Sequence, residues 1–162
     1  MAGNPPPDLL LTPLIGKPRT VREWLTTFHL AFVALDPFTY QSAWILETAG
    51  RVLTNFEQAD VRVAFLVTCD GDEARAFLGP WARDVLTFID PDRIAVKGFG
   101  LEGLPAFLHL GMDLEVVNSA EGWHPREWRQ VAEELASVTS WLPPLIPAPG
   151  DPGPFEATSA LG

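Results

Sequence analysis

The sequence predicts an α/β fold, a central mixed β-sheet flanked by helices on both faces, with Pro-rich N- and C-terminal arms. Three observations carry this. Short, almost wholly apolar runs bounded by Asp, Gly and Pro alternate with stretches of helical periodicity, the pattern of strands buried on both faces. An apolar hairpin-like pair and one amphipathic helix follow, which adds antiparallel neighbours to parallel strands. Pro5, Pro6, Pro7, Pro13 and Pro18 crowd one end and 6 prolines lie between 143 and 162. Each fixes φ and removes a backbone donor. The predicted organisation is therefore an arm over 1–18, a folded domain over 19–142 and a tail over 143–162 that is polyproline-like or disordered.

Phe28 to Leu35 is apolar, short and closed by Asp36-Pro37, and reads as the first buried strand. Ala43 to Phe56 places Ile45, Leu46, Ala49, Val52, Leu53 and Phe56 at helical spacing. Val61 to Thr68 is a second buried strand, ended by Cys69-Asp70-Gly71. A short helix over Asp72 to Leu78 stops at Gly79-Pro80, and Val85 to Ile89 is a third strand. Pro91 to Phe99 reads as helix, and Pro105 to Leu110 with Leu114 to Val117 as a hairpin around Gly111-Met112-Asp113. The last helix is predicted from Pro125 to Leu142, with Pro125 suited to its first turn.

Composition excludes several functions. The 162-residue length fits one domain, and 47% hydrophobic residues are enough for a core. No apolar run approaches the ~18 residues of a membrane helix, and Leu9-Leu10-Leu11 is too short for a signal-peptide core. A cytoplasmic protein with no membrane insertion is expected. The net charge of −10, without any Lys/Arg cluster, argues against nucleic acid as a partner. The single cysteine, Cys69, rules out an internal disulfide and a cysteine-based zinc site. His29, His109 and His124 show no metal-ligand spacing, so neither metal nor cofactor is expected. The bias toward Ala, Leu, Pro, Arg and Trp points to a high-GC bacterial source.

The order of elements, and the run Phe99-Gly100-Leu101-Glu102-Gly103-Leu104-Pro105-Ala106, resembles the thioredoxin-like superfamily. Asp90-Pro91-Asp92-Arg93 followed by Phe99-Gly100 resembles its peroxiredoxin and thiol-disulfide oxidoreductase branches, and Gly122 matches a glycine before the last helix. The resemblance covers about 15–142. It implies a thioredoxin-like fold in which Pro105 is cis and faces the active-site loop. In that loop the two redox cysteines are replaced, because Thr39-Tyr40-Gln41-Ser42 stands where Cys-x-x-Cys is expected. Thiol exchange needs an attacking thiolate and a resolving thiol, and hydroxyls of ordinary acidity supply neither. Val33 stands at the position of the family's buried aspartate, and Leu104 before the proline offers no activating arginine. The chain reads as a redox-silent member with a degenerate active site.

Two uses of that region stay open from the sequence. Ser42 as a hydrolytic nucleophile would need a base, and His29 and His109 are the local candidates; the alternative is a hydroxyl that caps a helix. The backbone beside Leu104-Pro105 implies, by the resemblance, a groove that pairs with an extended peptide without any thiol. Of the 6 tryptophans, Trp44, Trp128 and Trp141 are expected in the core, and Trp123, next to His124, as an exposed partner anchor. Cys69 reads as a buried, inert thiol, with a regulatory thiol the alternative.

The expected function is a non-catalytic protein-binding adaptor, assembly factor or chaperone, or a subunit of a larger assembly, working through Leu104, Pro105, Trp123, His124 and the Pro-rich tail. Gly122-x-His124-Pro125 resembles the thioredoxin-like maturation chaperones of nickel–iron hydrogenases over that short stretch. The alternative is a single-cysteine thiol peroxidase or reductase using Cys69.

Overall fold

The computed structural model describes residues 2–162. Its strands are β1 (Leu10–Pro13), β2 (Arg19–Thr20), β3 (His29–Leu35), β4 (Val61–Val67), β5 (Leu86–Ile89), β6 (Gly103–Leu104), β7 (Ala106–Leu110), β8 (Val116–Glu121) and β9 (Thr158–Ser159). Its helices are α1 (Val21–Trp24), α2 (Tyr40–Thr54), α3 (Gly71–Leu78), α4 (Trp81–Asp84), α5 (Ile94–Gly98) and α6 (Pro125–Val138). Seven strands form one sheet in the order β2-β1-β5-β4-β3-β7-β8, and β6 pairs with β9 in a small second sheet. β3, β4 and β5 run parallel, while β7, β8, β1 and β2 pair antiparallel. The predicted mixed sheet with helices on both faces is what forms.

The central strands are mostly apolar because both faces are covered. Along β3, Ala31, Val33 and Leu35 point toward α2 and α6, and Leu30, Phe32 and Ala34 toward α1 and α5. The two-residue period of a strand assigns alternate side chains to two separate cores. α2 presents Ile45, Ala49, Val52 and Leu53 to the first core, joined by Trp128, Val131 and Leu135 of α6. Trp128 is fully buried, and its indole N–H donates to the Gly122 carbonyl at 2.8 Å. That bond removes the cost of burying a polar atom.

Of the segment predicted as an arm over 1–18, Leu10–Pro13 is a strand of the sheet. β1 lies between β2 and β5, with Thr12 opposite Ile89 and Pro13 opposite Phe88. Leu9, Leu11 and Val21 are buried in the second core. Proline is tolerated here because Pro13 ends the strand, where a missing donor breaks no ladder beyond it. The tail over 143–162 is likewise ordered against the domain, with Ile146 and Ala160 buried. Its carbonyls and carboxylates make several of its anchoring bonds: Arg51 donates to the Leu145 carbonyl and to Asp151, and the Thr48 hydroxyl donates to Asp151.

Two of the tryptophans expected in the core lie at the surface, Trp44 at 54% exposure and Trp141 at 40%. Trp44 sits at the start of α2, on the side away from Ile45. Trp141 lies beyond α6, which ends at Val138 rather than Leu142, and its indole donates to the Asn55 carbonyl. Ser140 in a left-handed conformation, φ 53, turns the chain out of the helix. No helix among the described residues is long and apolar enough to cross a membrane.

Candidate functional site

The site predicted at Thr39 to Ser42 forms where β3 leads into α2. Thr39 caps the helix in an extended conformation, and its hydroxyl accepts the Ser42 amide. The same hydroxyl donates to the Asp36 carbonyl at 3.0 Å. The Ser42 hydroxyl is fully buried and accepts the Asp36 amide at 2.9 Å. Both hydroxyls therefore hold the turn together. Tyr40 projects into solvent at 78% exposure, Gln41 is half-buried, and Phe38 is 68% exposed. Tyr40 stacks with Trp44, which meets Phe155 of the tail edge-on.

The bases considered for Ser42 lie elsewhere. His29 opens β3 and His109 sits near the far end of β7, with His29 Nδ1 and His109 Nε2 2.8 Å apart. β3 separates His29 from the Asp36 turn by roughly 20 Å at the rise of an extended strand. Burial, reinforced by His29, pushes the His109 imidazole down to about 4. The pair lies at the far end of β3 from Ser42, so no base–nucleophile couple forms there.

Asp36 is the electrostatic centre of the turn. One carboxylate oxygen accepts the Phe38 amide and the other pairs with Arg93 Nη2 at 2.8 Å. Both side chains are largely buried, Asp36 at 5% and Arg93 at 17% exposure. Arg93 Nη1 reaches on to the Ala160 carbonyl at 2.6 Å. Sequence reasoning found no arginine for this site because it looked beside the proline. Arg93 arrives from the turn before α5, in a left-handed conformation with φ 59. That conformation is uncommon for a residue other than glycine and was not legible from Asp90-Pro91-Asp92-Arg93.

The opposite wall is Leu104-Pro105, whose peptide bond is cis, and Leu104 is fully buried. Here the groove is filled. β9 pairs antiparallel with β6, placing Thr158 opposite Leu104 and Ser159 opposite Gly103. The Thr158 hydroxyl donates to the Leu104 carbonyl at 3.2 Å. Trp123, expected as an exposed anchor, is fully buried under the same tail. Its indole donates to the Pro152 carbonyl at 2.7 Å, and its backbone exchanges bonds with Phe155 at 2.8 and 3.0 Å. His124 is half-buried, with Nε2 3.4 Å from the Glu156 carboxylate. The expected groove residues thus come together, and the chain's own C-terminal segment occupies them.

Cys69 lies one strand away, after β4, and is 2% exposed. Burial, reinforced by Glu73, Asp70 and Asp36, pushes its thiol up to about 12. At neutral pH a thiolate there is negligible. No group of three His, Cys, Asp or Glu side chains converges to hold a metal among the described residues.

Neither a family model nor a curated sequence matches the chain. Solved structures do. Mycobacterium tuberculosis dsbF, in its mixed oxidized and reduced forms, superposes with a TM-score of 0.66 at 15% identity, over 83% of this chain and 98% of its own. Peroxiredoxin Q from Xanthomonas campestris gives 0.64 at 14% identity, over 83% and 91%. A hypothetical protein from Sinorhizobium meliloti gives 0.71 at 12% identity, over 99% of this chain and 94% of its own. The fold is thioredoxin-like. The match to the redox proteins leaves about a sixth of this chain outside, while the Sinorhizobium match spans nearly all of it.

Proposed function

We propose that this chain is a thioredoxin-fold protein that binds another protein, as an adaptor, assembly factor or complex subunit, without thiol chemistry at the start of α2. The observation that carries the reading is the state of the degenerate site. Thr39 and Ser42 are engaged with the backbone of their own turn, and the groove beside Pro105 holds a peptide strand rather than a reactive group. Around that closed groove, Phe38, Tyr40 and Trp44 form an exposed aromatic rim. Large aromatics clustered at a surface supply much contact area at low entropic cost, which is what interface anchors do.

The test is native purification of the tagged full-length chain from its source, with Tyr40→Ala/Trp44→Ala beside it. A stoichiometric co-eluting protein that is lost from the double variant supports the reading, provided the variant keeps its thermal midpoint. Retention of the same partner by the variant, or turnover in an insulin-reduction assay, overturns it.

The second reading, a thiol peroxidase or reductase using Cys69, draws on the fold shared with dsbF and peroxiredoxin Q. It requires rapid labelling of native Cys69 at neutral pH and peroxide turnover lost in Cys69→Ala.

A further inference from the structure

Arg19 and Arg62 are far apart in the sequence, yet both aim at the same ring. β2 sets Arg19 opposite Leu11 of β1, and β4 sets Arg62 opposite Leu30 of β3. Leu11 and Leu30 belong to the second core. Directly opposed residues share a face of a sheet, so both arginines project on the α1 side. Trp24 of α1 receives them. The guanidinium carbon of Arg19 lies 3.9 Å from the centroid of the indole ring, and that of Arg62 lies 5.2 Å from it. The ring is itself fixed in place: it is 3% exposed, its N–H donates to the Leu11 carbonyl, and the Phe88 ring meets it edge-on. An aromatic face attracts a guanidinium and orders it while leaving its N–H edges free.

The two guanidiniums lack a counter-ion. Arg51, Arg75, Arg83 and Arg93 each pair with an aspartate, but among the described residues no carboxylate pairs with Arg19 or Arg62. Glu23 of α1 bonds the Thr20 amide and hydroxyl, at 2.9 and 3.0 Å, and makes no ion pair with Arg19. Arg62 is half-buried, and its Nε–H is buried without an acceptor. Burial, reinforced by Arg19, holds the Arg62 guanidinium below its usual pKa. A group that has lost water without gaining an acceptor is a charge left uncompensated. A chain of net charge −10 thus sets two cations against one ring and offers them no anion of its own.

Two cations match a dianion. Inorganic phosphate or a phosphate monoester carries about −1.5 to −2 at neutral pH and presents oxygens suited to the guanidinium fork. A carboxylate or a phosphodiester brings a single charge. The acidic surface elsewhere repels polyanions, which favours a small dianion over a nucleic acid or an anionic bilayer. We propose that Arg19 and Arg62, ordered on Trp24, form a binding site for the dianionic phosphate group of a small molecule. Arg62 supplies a charge already stripped of part of its water, and Arg19, exposed at the sheet edge, supplies the second. The site shares no residue with the turn at Thr39 to Ser42 or with the groove beside Pro105, and its ligand is of a different class from the protein partner proposed there.

The test is titration of isotopically labelled full-length protein with inorganic phosphate, glycerol phosphate and dimethyl phosphate, at one ionic strength held with chloride. The buried Nε–H of Arg62 is shielded from exchange with water, so its resonance reports on the site directly, and Arg62→Lys identifies the peak. Phosphate and glycerol phosphate should shift it saturably, while dimethyl phosphate and chloride should leave it in place. Arg19→Gln, a change at an exposed position, should keep the thermal midpoint and weaken the phosphate Kd at least tenfold. Tighter binding of the ester than of the free ion assigns the site to a phosphorylated metabolite, and equal binding assigns it to phosphate itself; either supports the proposal. The lack of a saturable shift, an equal shift with dimethyl phosphate, or undiminished affinity in Arg19→Gln overturns it.

Equilibrium dialysis against radiolabelled phosphate gives a readout free of the resonance. The wild type should retain phosphate in a one-to-one ratio, and Arg19→Gln/Arg62→Gln should retain none. Wild-type protein that retains no phosphate, or a double variant that retains as much as the wild type, sinks the proposal while leaving the partner-binding reading untouched.

Discussion

The β3–α2 and β4–α3 junctions lie side by side, since β3 and β4 pair in parallel along their whole length from His29 opposite Val61 to Leu35 opposite Val67. Both are strand-to-helix turns with an oxygen-bearing cap, Thr39 on α2 and Asp70 on α3. They differ in what they hold. The first offers a helix N-terminus whose cap is neutral and whose one nearby carboxylate, Asp36, is paired with Arg93, and places hydroxyls there. The second holds the chain's only thiol, but buries it and surrounds it with Asp70, Glu73 and Asp36. The setting that would ionise a thiol and the thiol itself are thus one strand apart. A shared fold and shared capping geometry do not carry chemistry; the residue type and the charge around it do.

The largest expected effect comes from moving a thiol across. In Thr39→Cys, the new half-buried thiol at the helix N-terminus should react with a maleimide-type reagent at neutral pH at least ~100-fold faster than Cys69 does in the same protein. Comparable rates at the two positions would erase the distinction between the junctions.

Stability at alkaline pH reads the second junction directly. An unfolded thiol ionises near 9, whereas the folded Cys69 keeps its proton to about 12. Between those values the unfolded state holds fewer protons, so stability falls as pH rises, by about 1.4 kcal/mol per pH unit, or up to about 4 kcal/mol across the window. Urea titrations from pH 8 upward should show this slope in the wild type and its removal in Cys69→Ala.

Asp36 serves the first junction and also faces the thiol of the second. Asp36→Ala leaves Arg93 largely buried without its carboxylate, and should cost about 3 kcal/mol in chemical denaturation. The same change should quicken Cys69 labelling, because one of the charges opposing its thiolate is gone. A loss below about 1 kcal/mol would mean that Arg93 finds compensation elsewhere.

The smallest effects come from the caps themselves. Thr39→Ala and Asp70→Ala each remove one side-chain acceptor from a helix start and should each cost about 1 kcal/mol. Only Asp70→Ala should also speed Cys69 labelling. Equal acceleration by both would show that the two junctions communicate more closely than their separate hydrogen bonds indicate.

Much of this was legible from residues. The apolar runs at 28–35 and 61–68 read as buried strands and Ala43 to Phe56 as a helix with one face inward, and strands at His29–Leu35 and Val61–Val67 and a helix at Tyr40–Thr54 form there. The absence of a thiol at Thr39 and Ser42 is a property of the sequence itself, and so is the solitude of Cys69. The candidate site was legible in its position, at the turn after β3 and beside Pro105, but not in its state. Arg93 was missed because its approach depends on one left-handed residue. Trp44 and Trp123 exchanged expected places because helical periodicity does not say which face a tail will cover.

The amino-acid sequence by itself determined the layered α/β core and the lack of redox cysteines at the start of α2. These follow from hydrophobic periodicity and residue identity, which act locally and repeat along the chain. Tertiary structure alone decided the fate of the two Pro-rich ends. β1 enters the main sheet, and the last residues lie in the groove beside Leu104 and Pro105. Segments rich in proline and glycine carry neither periodicity nor a full set of amides. The N-terminal one settles by burying Leu9 and Leu11 and pairing β1 with β5, and the C-terminal one by the carbonyls, carboxylates and small side chains that meet Arg51, Arg93, Trp123 and the space beside Gly103 and Gly122.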